Sequence, residues 1–393
     1  MVRTTVTPTQ TGLHEMLSCV QQSGGVALQA ETFGASHLQA SLARLLRTDE
    51  DGQLMLAYRA SLELRTSKEC ESVELLGGGE SEGGEGEGVA MTEAGDARTF
   101  KWKVGALGSH YTAAVAMRRG KETLSNQRDS TLVQLTTTYK HATGATRMRV
   151  STLRLPKPPQ KLPVQQLLPG FDQQAAAALL VRQTVKEAAG GAPPPELLQK
   201  IDRGLIKTMR ALCEYQKGEP SSVSLPPQAG QLPGLVFHLR RSPAVRTTAV
   251  SPDETAYFRQ LVASLSVFAT LVLVQPTLVA YERGRAPAAL PLDPAAMVPD
   301  RSLILDTFLQ VLLCHGSHIA QLRRTTPEDP SLKQLESAAR QCVDALEAER
   351  FPAPVVYECE QYASKARYLV QKLNPDVPLM TFLQGLYKAI VAA

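Results

Sequence analysis

The densest grouping of reactive side chains is Cys314-His315-Gly-Ser-His318, a thiol and two imidazoles within five residues. On a helix this spacing offers two nitrogen donors to one ion. A structural or catalytic metal asks for three or four ligands with carboxylate or thiolate support, and nothing nearby in the sequence converges. Two polar histidines at an element boundary is the better reading, and no metal site is expected. Gly120-Lys-Glu-Thr123 has the ending of a phosphate loop without the Gly-x-x-x-x-Gly-Lys-Ser/Thr frame whose amides cradle phosphates. Gly34 and Ser36 begin a nucleophile elbow, but Leu38 stands where the second glycine belongs. No catalytic triad can be assembled by spacing, so the chain is read as a non-enzyme.

Charge is informative through its distribution rather than its sum of +4. Between Glu69 and Asp96 there are nine acids and no base, whereas between Arg98 and Lys161 thirteen bases face only Glu122 and Asp129. Side chains two apart on a strand point the same way, so Lys101 and Lys103 share a face, as do Arg147 and Arg149. The expectation is a basic sheet surface formed by these four and directed at anionic phospholipid head groups. Nucleic acid is the weaker reading, since recognition motifs are missing and few aromatics interleave with the bases.

The elements that must position these residues follow from periodicity. At 393 residues, 43% hydrophobic and 20% charged, the chain can bury a sizeable core in more than one domain. Its six cysteines form no Cys-x-x-Cys pair, which argues against a zinc knuckle or disulfide framework and for a reducing, cytosolic compartment. The N-terminus lacks the apolar run of a secretory signal. Residues 261–274 are apolar but too short to cross a bilayer and read as buried core.

Residues 36–47 predict a helix capped by Ser36. Residues 54–65 alternate as a half-buried strand. The Gly/Glu-rich 77–96 segment is expected to be a mobile acidic loop. Strands are predicted at 100–104, 111–117, 132–139 and 147–155, which together suggest a β-sandwich or barrel. After Pro156-Lys-Pro-Pro159 the period becomes helical, with Asp172 and Pro193-Pro-Pro195 opening helices and another starting near Pro252. Residues 267–274 and 302–313 are rich in β-branched and apolar side chains, 331–350 reads as a helix, 368–373 as a strand, and 381–393 as a helix. The fold class is multidomain α+β.

Several strings then carry a resemblance: Thr11-Gly-Leu-His-Glu-Met16, Phe100-Lys-Trp-Lys-Val104, Gly170-Phe-Asp-Gln-Gln-Ala-Ala-Ala-Ala178, Phe237-His-Leu-Arg-Arg-Ser242, Ser251-Pro-Asp-Glu-Thr255, Val274-Gln-Pro-Thr277, Asp300-Arg301 with Leu305-Asp-Thr-Phe308, and Lys372-Leu-Asn-Pro375. In this order the chain resembles the family of GTPase-activating subunits of the inner COPII vesicle coat, over nearly all of its length but only the C-terminal part of a full member.

The resemblance implies the end of a trunk domain at 1–52, a β-sandwich at 53–160, an all-helical domain at 163–264 and a gelsolin-like domain at 265–393. It implies a cytoplasmic protein, peripheral on the cytosolic face of the endoplasmic reticulum membrane and its vesicles. The implied partners are a small Arf-like coat GTPase, a cargo-binding sister subunit and an outer-coat subunit. The family's zinc finger has no counterpart here, so no cofactor is expected. The family's arginine motif Gly-Gly-Ser-Gln-Ala-Arg-Phe aligns with Tyr362-Ala-Ser-Lys-Ala-Arg-Tyr368, placing at Arg367 an arginine finger that enters the GTPase in trans. A planar guanidinium can hold two phosphoryl oxygens as their charge grows, which an ammonium cannot. Lys365 and Arg350 are the next candidates for that role. An adaptor that keeps the coat fold without activating the GTPase is the alternative.

Overall fold

The computed structural model describes residues 2–4, 12–67, 70–82, 92–94, 97–119, 130–156, 163, 166, 168–247 and 250–392. Most of the acidic 77–96 stretch, the Gly120-Lys-Glu-Thr123 string, and Pro158 and Pro159 lie outside the described residues.

At the N-terminus, β1 (Val2–Thr4) pairs in parallel with β2 (Leu28–Ala30), and α1 (Leu13–Ser23) and α2 (Ser36–Leu45) flank them. Ser36 does not cap α2 as expected. Ala35 takes the extended cap conformation instead, leaving Ser36 inside the first turn with no side-chain cap bond.

The sandwich comprises β3 (Leu56–Ser67), β4 (Cys70–Leu76), β5 (Glu80–Ser81), β6 (Thr92–Ala94), β7 (Ala97–Gly108), β8 (Ala114–Arg119), β9 (Ser130–Lys140) and β10 (Thr146–Pro156). Its larger sheet runs β10-β9-β3-β7-β5, with β6 also on β7, and the β4–β8 ladder forms the second layer. The alternation read in the sequence is the cause: Ala60, Leu62 and Leu64 of β3 and Phe100, Trp102 and Val104 of β7 point inward onto Val73 and Leu75. Glu80–Ser81, inside the expected loop, pairs with Lys103 and Trp102. Gly24 and Gly105 let the end of α1 touch β7, since a Cβ on Gly24 would lie 2.1 Å from the Val104 carbonyl oxygen.

The helical part contains α3 (Gln173–Ala189), α4 (Pro194–Leu212), the hairpin β11 (Glu214–Gln216) and β12 (Glu219–Ser224), α5 (Leu232–Leu239), α6 (Pro252–Ser264) and α7 (Val267–Val274). Asp172 caps α3, accepting from the Gln174 and Ala175 amides at 2.9 and 3.0 Å. Ser251 and Glu254 close a reciprocal capping box on α6. The β-branched and apolar 267–274 run is a helix. Ser266 caps it, Pro276 follows it, and burial of Leu271, Val272, Leu273 and Val274 outweighs a weak local propensity.

The last part alternates strands and helices: β13 (Thr277–Glu282), β14 (Ala288–Leu290), β15 (Arg301–Asp306), β16 (Gln310–His315), α8 (Ser317–Thr325), α9 (Pro330–Glu349), β17 (Val355–Glu360), α10 (Arg367–Leu373) and α11 (Leu379–Val391). The sheet order is β14-β13-β15-β16-β17, antiparallel except for β16–β17. That parallel pair needs a long crossover, which α8 and α9 supply. They bury Ile319, Leu332, Leu335 and Val343 on one face, while α10 covers the other. The 368–373 segment expected as a strand is this helix, with Leu369 and Leu373 one turn apart and fully buried. α11 packs back into the helical core through Leu386, Ile390 and Val391. There Arg210 of α4 donates to the Ala389 and Ile390 carbonyls at 2.5 and 3.0 Å, placing a cation on the negative end of the helix.

The parts are joined by specific polar contacts. Arg182 of α3 is buried and donates to the Leu76 and Leu265 carbonyls and the Thr112 hydroxyl at 2.8, 2.6 and 2.6 Å. Arg44 of α2 donates to the Arg350 carbonyl at 2.6 Å, and the Ala353 amide donates to Ser41 at 2.9 Å. No helix among the described residues is long and apolar enough to cross a membrane.

Candidate functional site

Arg367 stands at the first residue of α10, fully exposed, after a loop that leaves β17 through Tyr362. The loop is short because Ala366, Leu369 and Leu373 sink into the sheet, so Arg367 and Val370 must face outward. Tyr362 turns the chain with φ of 75°, a left-handed conformation that costs a side-chain-bearing residue energy, and the residue is 83% exposed.

The loop's cations are held on aromatic faces. Tyr357 of β17 and Tyr368 of α10 stack with centroids 5.8 Å apart and planes 8° from parallel. Lys365 Nζ lies 4.5 Å from the Tyr357 centroid and the Arg367 guanidinium 5.2 Å from that of Tyr368. Arg367 Nη2 also reaches the Tyr368 hydroxyl at 3.4 Å, and this contact raises the arginine's pKa. Among the described residues no carboxylate pairs with Arg367. The arrangement presents a permanent, planar cation braced by an aromatic stack, suited to an anion brought by another molecule. The stack was not foreseen, because Tyr357 and Tyr368 sit on different elements and only the fold joins them.

Arg350 cannot take that part. Its side chain is buried in an ion pair with Asp306.

The four basic residues expected on one surface divide between two faces of the sheet. Register aligns Lys101 with Glu63, Thr136 and Val150, whereas Arg149 aligns with Thr137, Leu62 and Trp102. Laterally paired residues share a face, so Lys101 and Lys103 are opposite to Arg147 and Arg149. The lysines are also partly neutralised, Lys101 by Glu63 at 3.2 Å and Lys103 by Glu82 at 3.7 Å. Arg147 and Arg149 lie on β10, an edge strand exposed along its whole length that also displays Met148, Val150 and Leu153. The split was hidden because same-strand spacing gives no register between strands.

The histidine cluster is structural. His315 Nδ1 contacts the Ser302 hydroxyl at 2.8 Å and Nε2 contacts Glu358 at 3.2 Å. The connectivity is that of a hydrolytic triad, yet Ser302 and His315 are buried and present no surface to a substrate. Burial first, then Arg323, holds the His315 pKa below its ordinary value. His318 turns away to Asp300. Among the described residues no three metal-capable side chains converge.

Residues 57–157 match the Sec23/Sec24 beta-sandwich domain and residues 172–272 the Sec23/Sec24 helical domain. The chain is 33% identical over 407 aligned residues to protein transport protein SEC23 C of Arabidopsis thaliana, covering 97% of this chain and 53% of that protein. It is 33% identical over 376 residues to SEC23 F of Arabidopsis thaliana, covering 93% and 48%. It thus spans about half the length of the curated relatives it matches. The solved structure of human COPII-coat protein Sec24c superposes with a TM-score of 0.75 at 16% identity, over 97% of this chain and 52% of that one, which marks a shared fold.

Proposed function

The chain belongs to the Sec23/Sec24 family, and from that membership we propose that it is a COPII coat component that activates GTP hydrolysis by the coat's small Arf-like GTPase during transport from the endoplasmic reticulum to the Golgi. The observation that carries the activating role is Arg367, an exposed guanidinium without a carboxylate partner among the described residues, where the resemblance to the family's arginine motif puts its arginine finger. In this reading Tyr368 holds the guanidinium over its ring until the GTPase docks. The fork then leaves that weak contact for the γ-phosphoryl oxygens, where charge develops in the transition state. The chain itself performs no bond-making step.

The sister subunit and the outer coat are the expected protein partners, and the membrane is the expected surface. For the membrane we assign the contact to Arg147 and Arg149 on the β10 edge rather than to the paired lysines. A coat-derived adaptor without activating power is the second reading, favoured by Tyr362 and Lys365, which stand in the Arg367 loop where the family's motif has glycine and glutamine. Single-turnover GTP hydrolysis by the coat GTPase on liposomes, with and without the chain, separates the two. Acceleration supports the activator, and binding to the GTP-loaded GTPase without acceleration supports the adaptor.

A further inference from the structure

Away from the Arg367 loop, a cavity of about 390 Å³ opens between α4, α5 and α11. Leu198, Leu205 and Ile206, with Phe237, Phe382 and Leu386, give it an apolar lining. Arg240, Arg241 and Arg246 form its rim. Arg240 is paired with Asp202 at 2.9 Å and lies over the Phe382 ring, 5.2 Å from its centroid. Arg241 lies 5.3 Å from the Phe237 centroid. Cation–π contact thus sets both guanidinium groups against aromatic faces.

The charges on this rim do not balance. Among the described residues Arg241 and Arg246 share a single carboxylate, Asp376, at 4.0 and 2.7 Å, and Asp376 is itself largely exposed. The next residue, Val377, lines the cavity. The chain's own Asp376-Val377 therefore places an acid on the arginines and an apolar side chain against the pocket.

We propose that this cavity is a docking site for a linear segment of a partner protein in which an acidic residue adjoins a bulky apolar one. The apolar side chain enters between α4 and α11, and the acid takes the place of Asp376 on Arg241 and Arg246. Charge complementarity selects an acidic segment over a basic one. The recess between helices suits an inserted side chain better than a flat lipid surface. This proposal is independent of the GTPase reading.

The test is fluorescence anisotropy with the labelled peptide Gly-Ser-Glu-Asp-Leu-Phe-Glu-Ser against its counterpart with lysine at every acidic position, using the full chain. The acidic peptide should bind saturably and the basic one should not. Arg246→Glu should weaken binding by about tenfold or more, and Asp376→Asn should strengthen it by removing the internal competitor. Gly385→Leu tests the cavity itself. Gly385 is on the cavity wall in α11, and a Cβ there meets no atom within 4 Å. Leucine also favours the helix over glycine, so this variant should fold, fill the pocket and abolish binding. Absence of acidic-peptide binding, equal binding of the lysine peptide, or binding indifferent to Gly385→Leu would each overturn the proposal.

Discussion

Arg350 and Asp306 are joined by a bidentate ion pair, Nη1 to Oδ1 at 2.5 Å and Nη2 to Oδ2 at 2.6 Å, with side chains only 8% and 7% exposed. The pair fastens the tight turn between β15 and β16. Phe308 in that turn has φ of 72°, its amide donates to Asp306 at 2.8 Å, its carbonyl accepts from Arg350 at 3.1 Å, and its ring lies beneath the guanidinium. A left-handed phenylalanine is held there by contacts on both its backbone groups and its side chain.

Breaking this pair from one side should be expensive. Arg350→Ala leaves a buried carboxylate without its partner and should cost about 3–5 kcal/mol. The double substitution Arg350→Met with Asp306→Leu should recover part of that loss. Hydrogen exchange at the β15 and β16 amides reads the effect locally, and unchanged protection in Arg350→Ala would refute a structural role for the pair.

At Arg367 the expected result is kinetic. Arg367→Ala should remove most of the stimulated hydrolysis, within the range of about 10³ to 10⁵ that arginine fingers contribute. Arg367→Lys should rescue little, since it keeps charge and loses the fork. Single-turnover rates at saturating chain decide it. Full stimulation by Arg367→Ala would direct attention to Lys365, the other cation on the aromatic stack.

Membrane attachment should follow the division of the sheet's two faces. The double change Arg147→Glu with Arg149→Glu should lower recovery on anionic liposomes more than Lys101→Glu with Lys103→Glu. Exposed charges are screened beyond about 10 Å at 0.1 M salt, so recovery should also fall as salt rises. Equal recovery of both variants with wild type in a flotation assay would remove β10 from the membrane contact.

His238 gives the helical core an acid-sensitive step. Burial first, then Arg241 and Lys372, lower its pKa from 6.5 to about 4. Below the ordinary value the unfolded chain takes up a proton that the folded chain refuses. Stability should therefore fall as pH drops from 6.5 towards 4, by up to about 3 kcal/mol from this group. His238→Gln should flatten the profile in that window. Urea midpoints for both proteins across the range measure it, and identical slopes would contradict the assignment.

The parts of the fold legible in the sequence were those in which one period dominates. β3 and β7 alternate cleanly, α4 repeats Leu197, Ile201, Leu205 and Met209 along one buried stripe, and Asp172 and Pro252 announce their helices. The error fell where tertiary burial decides: α10 is a short apolar run whose period cannot be told from a strand's, and it became a helix because the core required a helical face. At the site, Arg367 came from resemblance alone, since an exposed arginine carries no local signal. Its aromatic brace and the separation of Lys101 from Arg149 depend on contacts between elements, which only cross-strand register and packing supply.

The return of α11 to the helical core makes the five-stranded sheet and its covering helices an insertion within that core rather than a module attached at one end. The backbone enters it after Val274 and leaves it after Leu373, so two crossings suspend it. Arg44 on the Arg350 carbonyl and the Ala353 amide on Ser41 add side fastenings to these two chain anchor points, so the frame that carries Arg367 is held from more than one direction. The Arg210 contacts at the end of α11 keep the second of those anchor points from slipping.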